Sequence, residues 1–340
     1  MAAKKKSVKP KQAGHEDLWA KTPDMVRRFI DLRPDYEQLC NEVAYVLRKR
    51  LKEQGIAFAS ITCRAKSLKS FLEKLKRKTY SDPLNEITDF AGTRVVCLYI
   101  DDLDKIQSII EKEFKVVESI DKLDERNADQ FGYLARHFIV KLGGKSSGAR
   151  YDDLKSLACE IQARTVLQDA WAIIQHHLAY KREAQVPKPI LRKLNSLAGL
   201  FETADDQFQR VKDDRERYLE YLDTTRGSEE DFHASDLNLD SFKTFLRATY
   251  PDRPDELWEG QDKYVFDRIQ TKGIDTLGDV LKIIKKHDGA IAKALDRIEK
   301  MEGQVLPANT IPYLAFYFEH KPVSMDYGIP SEWRLDETSN

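Results

Sequence analysis

Two acidic residues at the edges of strand-forming segments are the first candidates for chemistry. Glu160 lies in an apolar run, residues 157–166, that predicts a half-buried strand leading directly into an amphipathic helix. Because side chains alternate along a strand, Gln162 and Arg164 are expected on the same face as Glu160 and form a polar strip there. Asp89 is placed just before a second strand, predicted over the β-forming residues 95–100.

A pair of carboxylates on neighbouring central strands suits magnesium chemistry. Mg²⁺ takes few protein oxygens and fills its remaining positions with water and substrate phosphates. The segment around Glu160 is equally compatible with a solvated sheet face that carries an incidental Glu–Arg pair. Asp89, at the entry to a second strand, favours the metal and phosphate interpretation.

A basic strand-to-helix junction is the second chemical feature. Residues 56–66 predict a strand and residues 67–78 a helix, and Arg64, Lys66, Lys69 and Lys74 gather around the start of that helix. Amide donors and the helix dipole already favour phosphate at such a position. A solvated basic helix is the alternative, and it explains residues 76–78 better than Arg64 and Lys66.

Composition excludes several classes of protein. The 340 residues carry 56 basic and 57 acidic side chains, so the net charge of −1 offers no global attraction to nucleic acid. The four cysteines form no CxxC pair, which is typical of reduced thiols in a cytoplasmic protein. We find no apolar run long enough for a membrane span and no apolar signal core, and therefore expect a soluble, cytoplasmic protein without a membrane partner.

The elements that must position these residues alternate between helices and strands. One helix is predicted from Thr22, a second from about Asp35 to Gly55, and further helices over residues 101–114 and 187–222. Strands are predicted over residues 114–120 and 136–142 in addition to those above. The fold class is therefore α/β, with a mixed β-sheet flanked by helices and a mostly helical C-terminal module.

The chain divides into four segments. Residues 1–14 predict a disordered basic tail, 20–222 the main domain, 223–235 a linker, and 236–340 the helical module, which carries no recognisable catalytic motif.

Four blocks, in this order and at family-like spacing, resemble the RelA/SpoT-type alarmone synthetase domain. They are RAKSLKSFLEKLKRK (64–78), ITDFAGTRVV (87–96), FGYLARH (131–137) and EIQARTVLQDAWAIIQHHLAYK (160–181). The resemblance covers about residues 20–220 and implies a nucleotidyltransferase-like sheet. It also implies the transfer of pyrophosphate from ATP to the ribose 3′-hydroxyl of GDP or GTP, which makes the stringent-response alarmone (p)ppGpp.

The resemblance assigns roles residue by residue. Asp89 and Glu160 match the catalytic magnesium ligands. On the ATP side, Arg64 and Arg94 match the pair that sandwiches adenine, and phosphate contacts match Lys66, Ser70 and Lys74. On the acceptor side, the guanine-stacking tyrosine matches Tyr133, and further acceptor contacts match His137, Gln162 and Asp169.

One departure from the family pattern concerns the acceptor. The usual glycine-tyrosine-x-serine-x-histidine loop appears as GYLARH, so Ala135 replaces a serine and Arg136 is expected to add a charge beside His137. The alternative function is that of a toxin-type relative, which pyrophosphorylates the 3′ end of tRNA and is restrained by its C-terminal module. That module could equally serve homo-oligomerisation or bind a protein or small-molecule effector. A third alternative, an inactive nucleotide sensor, is disfavoured because Arg64, Asp89, Tyr133 and Glu160 are all present.

Overall fold

The computed structural model describes residues 22–121, 135–178, 187–225, 233–254 and 260–320. The chain forms two compact units, Met1–Val211 and Lys212–Asn340. Within the described ranges, no helix combines the length and the apolarity that crossing a membrane requires.

The first unit is built on a five-stranded mixed sheet with the strand order β1-β2-β5-β4-β3. Strands β2 and β5 are parallel neighbours, and the other pairs are antiparallel. The predicted mixed sheet with flanking helices is confirmed. The strands are β1 (Phe58–Ala65), β2 (Ala91–Cys97), β3 (Phe114–Asp121), β4 (Arg136–Leu142) and β5 (Cys159–Thr165).

Helices cover this sheet and connect its strands. They are α1 (Pro23–Glu53), α2 (Leu68–Arg77), the short α3 (Pro83–Glu86), α4 (Asp101–Glu113), α5 (Val166–Leu178) and α6 (Lys188–Thr225). The strand-to-helix passage predicted around Glu160 is confirmed, because β5 leads directly into α5.

The prediction of two separate N-terminal helices was wrong, because α1 is a single helix that contains Pro34. A proline inside a helix costs about 3 kcal/mol or more. Here the buried face continues on both sides of it, with Phe29 before it and Tyr36 and Leu39 after it. Burial of that face offsets the cost of the proline. Thr22 makes no side-chain capping hydrogen bond.

The bounds predicted for the strand after Asp89 were also wrong. Strand β2 begins earlier, at Ala91, and ends at Cys97, while Leu98 is 37% exposed. Cys97 is the last residue that either neighbour can pair, since it lies opposite Phe58 of β1 and Thr165 of β5. Residues 98–100 therefore have no partner strand in the described sheet, although their side chains favour one.

An aromatic cluster fixes the elements that carry the basic junction. The rings of Phe29 in α1 and Phe71 in α2 stack with centroids 4.5 Å apart, and Phe90 lies 5.5 Å from Phe71. All three side chains are buried in the main core. Because Phe90 follows Asp89 directly, this packing positions the acid against the basic helix.

The second unit has its own apolar core and is helical, as predicted for the C-terminal module. Its helices are α7 (Leu239–Thr249), α8 (Gln261–Gln270), α9 (Leu277–Lys286), α10 (Asp288–Glu302) and α11 (Thr310–His320). Helix α6 continues past Val211 to Thr225, and residues 226–232 lie outside the described ranges. The domain and linker bounds stay predictions, and the basic tail 1–14 also lies outside the described residues.

Candidate active site

A pocket of about 570 Å³ opens on one face of the sheet, beside the start of α2. Its wall is formed by residues of β1, β2, β5, α2, α5 and the segments before α2 and β2. The lining residues used below are Arg64, Lys66, Ser70, Asp89, Gly92, Arg94, Glu160 and Gln162.

Strand register explains why these residues meet. Gly92 is paired with Arg64 of β1 on one side and with Glu160 of β5 on the other. Two residues further along, Arg94 is paired with Gln162, which is in turn paired with His137 of β4. Side chains two residues apart share a face, so both rows project into the same region. Gly92 places no side chain between Arg64 and Glu160, which leaves the space between them open.

Asp89 is held by two lysines, one just before α2 and one within it. Lys66 Nζ lies 2.6 Å from Asp89 Oδ2, and Lys74 Nζ lies 2.7 Å from Oδ1. Burial raises the pKa of Asp89, but the hydrogen bonds and charges of the two lysines outweigh burial and hold the pKa below its usual value. The carboxylate is therefore ionised at neutral pH.

Glu160 lies at the centre of the polar strip that the sequence predicts. His137 Nδ1 is 2.8 Å from Glu160 Oε1, and Gln162 Nε2 donates to Oε2 at 3.0 Å. Arg164 continues the strip by donating to Gln162 Oε1 at 3.0 Å. Burial raises the pKa of Glu160, but His137 and Gln162 together hold it below its usual value, against a small opposing effect of the Asp89 charge. The strip therefore presents an ionised carboxylate.

Asp169, in the first turn of α5, joins two arginines on the sheet. Its Oδ1 lies 3.0 Å from Arg94 Nη1 and 3.6 Å from Arg164 Nη1. Burial and the neighbouring Arg94 charge lower the pKa of Arg164. Thr165 fixes this strand-to-helix turn, because its Oγ1 accepts from the backbone N–H of Gln168. The Asp169 carboxylate is therefore oriented toward the guanidinium groups of Arg94 and Arg164.

The structure brings together most of the predicted site residues. The pocket is lined by Arg64, Lys66, Ser70, Asp89, Arg94, Glu160 and Gln162. Lys74 contacts the pocket residue Asp89, His137 contacts Glu160, and Asp169 contacts Arg94. Tyr133 lies outside the described residues, so its predicted stacking role stays a prediction.

The expected charge beside His137 was wrong. Arg136 and His137 are successive residues of β4 and point to opposite faces of the sheet. Arg136 Nη1 contacts Asp104 Oδ1 at 2.5 Å and Gln107 Oε1 at 3.1 Å, and both acceptors belong to α4. Ala135, the other departure, is 4% exposed.

Several further pocket residues were not predicted as site residues, and four of them carry side chains that could take part in binding or chemistry. They are Cys63, Glu73, Arg77 and His176. Helical spacing contains the signal for two of them. Arg77 lies seven residues after Ser70, and His176 seven after Asp169, so each shares a helix face with a predicted site residue.

The two acids fit a magnesium ion that is completed by substrate. Among the described residues, no group of three or more histidine, cysteine, aspartate or glutamate side chains could hold a metal. Asp89 and Glu160 are both ionised, line one pocket and supply oxygen donors. Mg²⁺ often binds through one or two carboxylates, with phosphates and water supplying the other ligands.

Comparison with known proteins gives one matching family model, described as "Region found in RelA / SpoT proteins", over residues 63–185. GTP pyrophosphokinase YjbM of Bacillus subtilis (strain 168) is 29% identical over 176 residues, which are 50% of this chain and 80% of that protein. GTP pyrophosphokinase YwaC of the same strain is 28% identical over 155 residues, 44% of this chain and 71% of that protein.

Solved structures similar to this chain include a GTP pyrophosphokinase family protein from Streptococcus pneumoniae. It is 26% identical with a TM-score of 0.48, and the match covers 56% of this chain and 96% of that one. Small alarmone synthetase 1 from Bacillus subtilis is 24% identical with a TM-score of 0.48, covering 56% and 98%.

Proposed function

We propose that this chain transfers pyrophosphate from ATP to the 3′-hydroxyl of GDP or GTP. Residues 63–185 match the model of the region found in RelA/SpoT proteins, and the chain is similar to GTP pyrophosphokinases of Bacillus subtilis. The product is (p)ppGpp. The observation that supports this activity most directly is a pair of ionised carboxylates that line one basic pocket at the starts of two parallel strands. Asp89 precedes β2, and Glu160 is the second residue of β5.

Pyrophosphate transfer requires that a triphosphate be neutralised and that a hydroxyl be placed in line with it. In this proposal Asp89 and Glu160 would hold Mg²⁺, which would neutralise and polarise the phosphate oxygens of ATP. The protein side chains would bind the ATP and orient the acceptor hydroxyl.

On the donor side, Arg64 and Arg94 supply planar guanidinium groups suited to stacking on adenine. Lys66 and Lys74 supply the positive charge for the phosphates, and both now lie against Asp89. We infer that the two ammonium groups shift toward ATP when it binds, so that they neutralise Asp89 in the free protein and phosphate in the complex. Ser70 adds a hydroxyl at the same wall of the pocket.

On the acceptor side, the polar strip would orient the attacking hydroxyl. His137 uses Nδ1 toward Glu160, so Nε2 is the ring nitrogen directed at an acceptor group. Gln162 fixes the other oxygen of Glu160, which keeps the carboxylate in one orientation. Asp169 holds Arg94 and lies near Arg164, and it connects the donor wall to the acceptor strip.

The test is to incubate purified protein with Mg²⁺ and ATP labelled at the γ-phosphate, and to offer GDP, GTP and bulk tRNA in separate tubes. Label that appears on a guanosine nucleotide supports the proposal. Label that appears on RNA alone would replace it with the tRNA-modifying alternative. Because Arg136 donates to Asp104 of α4, on the sheet face opposite His137, the sequence reasons that remain for that alternative are the substitution Ala135 and the presence of the C-terminal module. Transfer to none of the three acceptors, with folded protein, would contradict both functions.

A further inference from the structure

Both oxygens of the Asp89 carboxylate are occupied by lysine side chains. Lys74 Nζ donates to Oδ1 at 2.7 Å, and Lys66 Nζ donates to Oδ2 at 2.6 Å. These three side chains combine two positive charges with one negative charge, which leaves a net charge of +1. A divalent cation that approaches Asp89 is therefore repelled by two ammonium groups, whereas the phosphates of a nucleotide are attracted to them.

The packing of the backbone holds this group of three in place. The backbone N–H of Lys66 donates to the carbonyl of Phe90, the residue after Asp89, at 2.7 Å. Phe90 in turn packs against Phe71, which lies three residues before Lys74 on α2. Both lysines are therefore anchored to the segment that carries Asp89. A ligand in the pocket can still reach them, since the side chains of Lys66 and Lys74 are 14% and 29% exposed.

Glu160, the second carboxylate of the pocket, is held in a different way. Gln162 donates to one of its oxygens through an uncharged amide, and His137 Nδ1 lies 2.8 Å from the other. Within the described ranges, no lysine or arginine forms an ion pair with Glu160. The positive charge that opposes a cation is therefore concentrated on Asp89, and Asp89 must be released before a cation can bind to both acids.

We propose that Lys66 and Lys74 prevent a divalent cation from binding to Asp89 until a triphosphate draws their ammonium groups away. The cation and the nucleotide then bind as one unit, because the phosphates take over the lysines and supply further oxygens to the cation. Linkage requires that each of the two ligands strengthen the binding of the other by the same factor. This role rests on the proposed use of ATP and adds to it, since the lysines that bind phosphate also determine when the metal binds.

Titration with Mn²⁺ in the absence of nucleotide tests this role without any turnover. Mn²⁺ prefers the same oxygen ligands as Mg²⁺, and the electron paramagnetic resonance signal of the free ion decreases as the ion binds. We expect the double variant Lys66→Met, Lys74→Met to bind Mn²⁺ about tenfold or more tightly than the unsubstituted protein, because the Asp89 charge is no longer neutralised. Lys74→Met alone should change the affinity in the same direction, and it keeps the test decisive if the double variant fails to fold.

Two controls locate the effect. Lys76→Met removes an exposed lysine from the same helix and should leave the Mn²⁺ affinity unchanged. Adding Asp89→Asn to the double variant should abolish the gain in affinity. A purely structural role of the two lysines predicts that their removal does not strengthen metal binding. Equal Mn²⁺ affinity in the unsubstituted protein and both lysine variants, or a gain that survives Asp89→Asn, would overturn the proposal.

Calorimetric titration with a non-hydrolysable ATP analogue distinguishes failure of this proposal from failure of the proposed function. The unsubstituted protein should bind the analogue about tenfold or more tightly with excess Mg²⁺ than with EDTA, and the double variant should show a smaller ratio. Equally tight binding under both conditions would overturn the coupling and leave the ATP-dependent function intact. Absence of analogue binding under both conditions would contradict the proposed pyrophosphate transfer itself, together with this role of the lysines.

Discussion

Glu160 is the residue whose surroundings say most about its chemistry. A buried acid without partners would be protonated more readily, but His137 and Gln162 each engage one of its oxygens and keep it ionised. The same two contacts hold the carboxylate in one orientation. A carboxylate that is both charged and oriented before substrate arrives is what electrostatic stabilisation of a transferring phosphoryl group requires.

Glu160→Gln tests this requirement with almost no change in shape. The amide removes the negative charge, so we expect the rate of pyrophosphate transfer to fall about 10²–10³-fold, the range observed when a single electrostatic contact is removed from an active site. Initial rates with labelled ATP measure the effect. Glu118→Gln, an exposed glutamate of β3, is the matched control and should keep the full rate. A Glu160→Gln rate within a fewfold of the unsubstituted protein would refute the role assigned to the charge.

The alternation of side chains along strands predicted much of the site. The main error in the site prediction came from ignoring that alternation. The period of two correctly placed Glu160, Gln162 and Arg164 on one face. The same rule places Arg136 and His137 on opposite faces, so their adjacency in sequence wrongly predicted that the Arg136 charge lies beside His137 in the acceptor pocket. Contacts between elements, such as Lys66 and Lys74 with Asp89, depend on tertiary packing and have no local signal.

At the level of elements, the existence of the helices and strands followed from periodicity, but their ends did not. Strand β2 stops at Cys97 because its neighbours supply no further partner, and α1 continues through Pro34 because its buried face does. Both outcomes depend on residues far away in sequence. A local pattern therefore predicts that an element forms and leaves its end to tertiary context.

The turn after β4 offers a test of close packing between elements. A Cβ atom added at Gly143 would lie 2.7 Å from the backbone carbonyl oxygen of Glu113, at the junction of α4 and β3. Backbone cannot move aside easily, so Gly143→Ala should lower the free energy of unfolding by about 1–3 kcal/mol. The adjacent Gly144→Ala meets nothing within 4 Å and is the control. Urea denaturation measures both, and equal stability of the two variants would contradict the close approach.

Asp205 connects α6 to the strand-to-helix turn of the active site. It is 2% exposed and accepts a hydrogen bond from Thr165 Oγ1 at 2.6 Å. Burial, with a contribution from the Asp206 charge, raises the pKa of Asp205 from 3.8 to about 7. Between these values the folded state binds more protons than the unfolded state, so this group makes stability fall as pH rises from about 4 to about 7.

Asp205→Asn removes this dependence, because the amide oxygen can still accept from Thr165 and carries no charge. We expect the variant to be more stable than the unsubstituted protein by about 1–2 kcal/mol at pH 7.5, after allowance for solvent screening, with the advantage disappearing near pH 4. Unfolding free energies measured across this pH range test it. Glu202→Gln, an exposed position on the same helix, should show no such trend. An Asp205→Asn advantage that is independent of pH would contradict the raised pKa.

At the scale of the whole molecule, sequence patterns predicted a synthetase region followed by a helical module, and the two compact units agree with this general organisation. The resemblance carried by the four blocks agrees with the family match over residues 63–185. The helical segment predicted over residues 187–222 is a single helix, α6, which ends three residues later than predicted, at Thr225.

Because the two units have separate apolar cores, a substitution in one core should destabilise that unit and leave the other unit stable. Phe242 is fully buried in the core of α7–α11, whereas Phe71 is fully buried in the core beneath the sheet, and the two cores share no residue. Truncating a buried phenylalanine to alanine costs about 3–5 kcal/mol. Phe242→Ala should therefore accelerate amide hydrogen exchange in α7 and α9 by several orders of magnitude and leave β5 protected, while Phe71→Ala should have the opposite pattern.

Mass spectrometry of peptides that cover residues 239–249 and 159–165 measures the two effects in one sample, so each variant contains its own control. Loss of protection in both peptides after either substitution would mean that the long helix α6 transmits unfolding and that the chain unfolds as a single cooperative unit. Protection lost only in residues 239–249 after Phe242→Ala, and only in residues 159–165 after Phe71→Ala, would mean that each unit can open while the other stays folded.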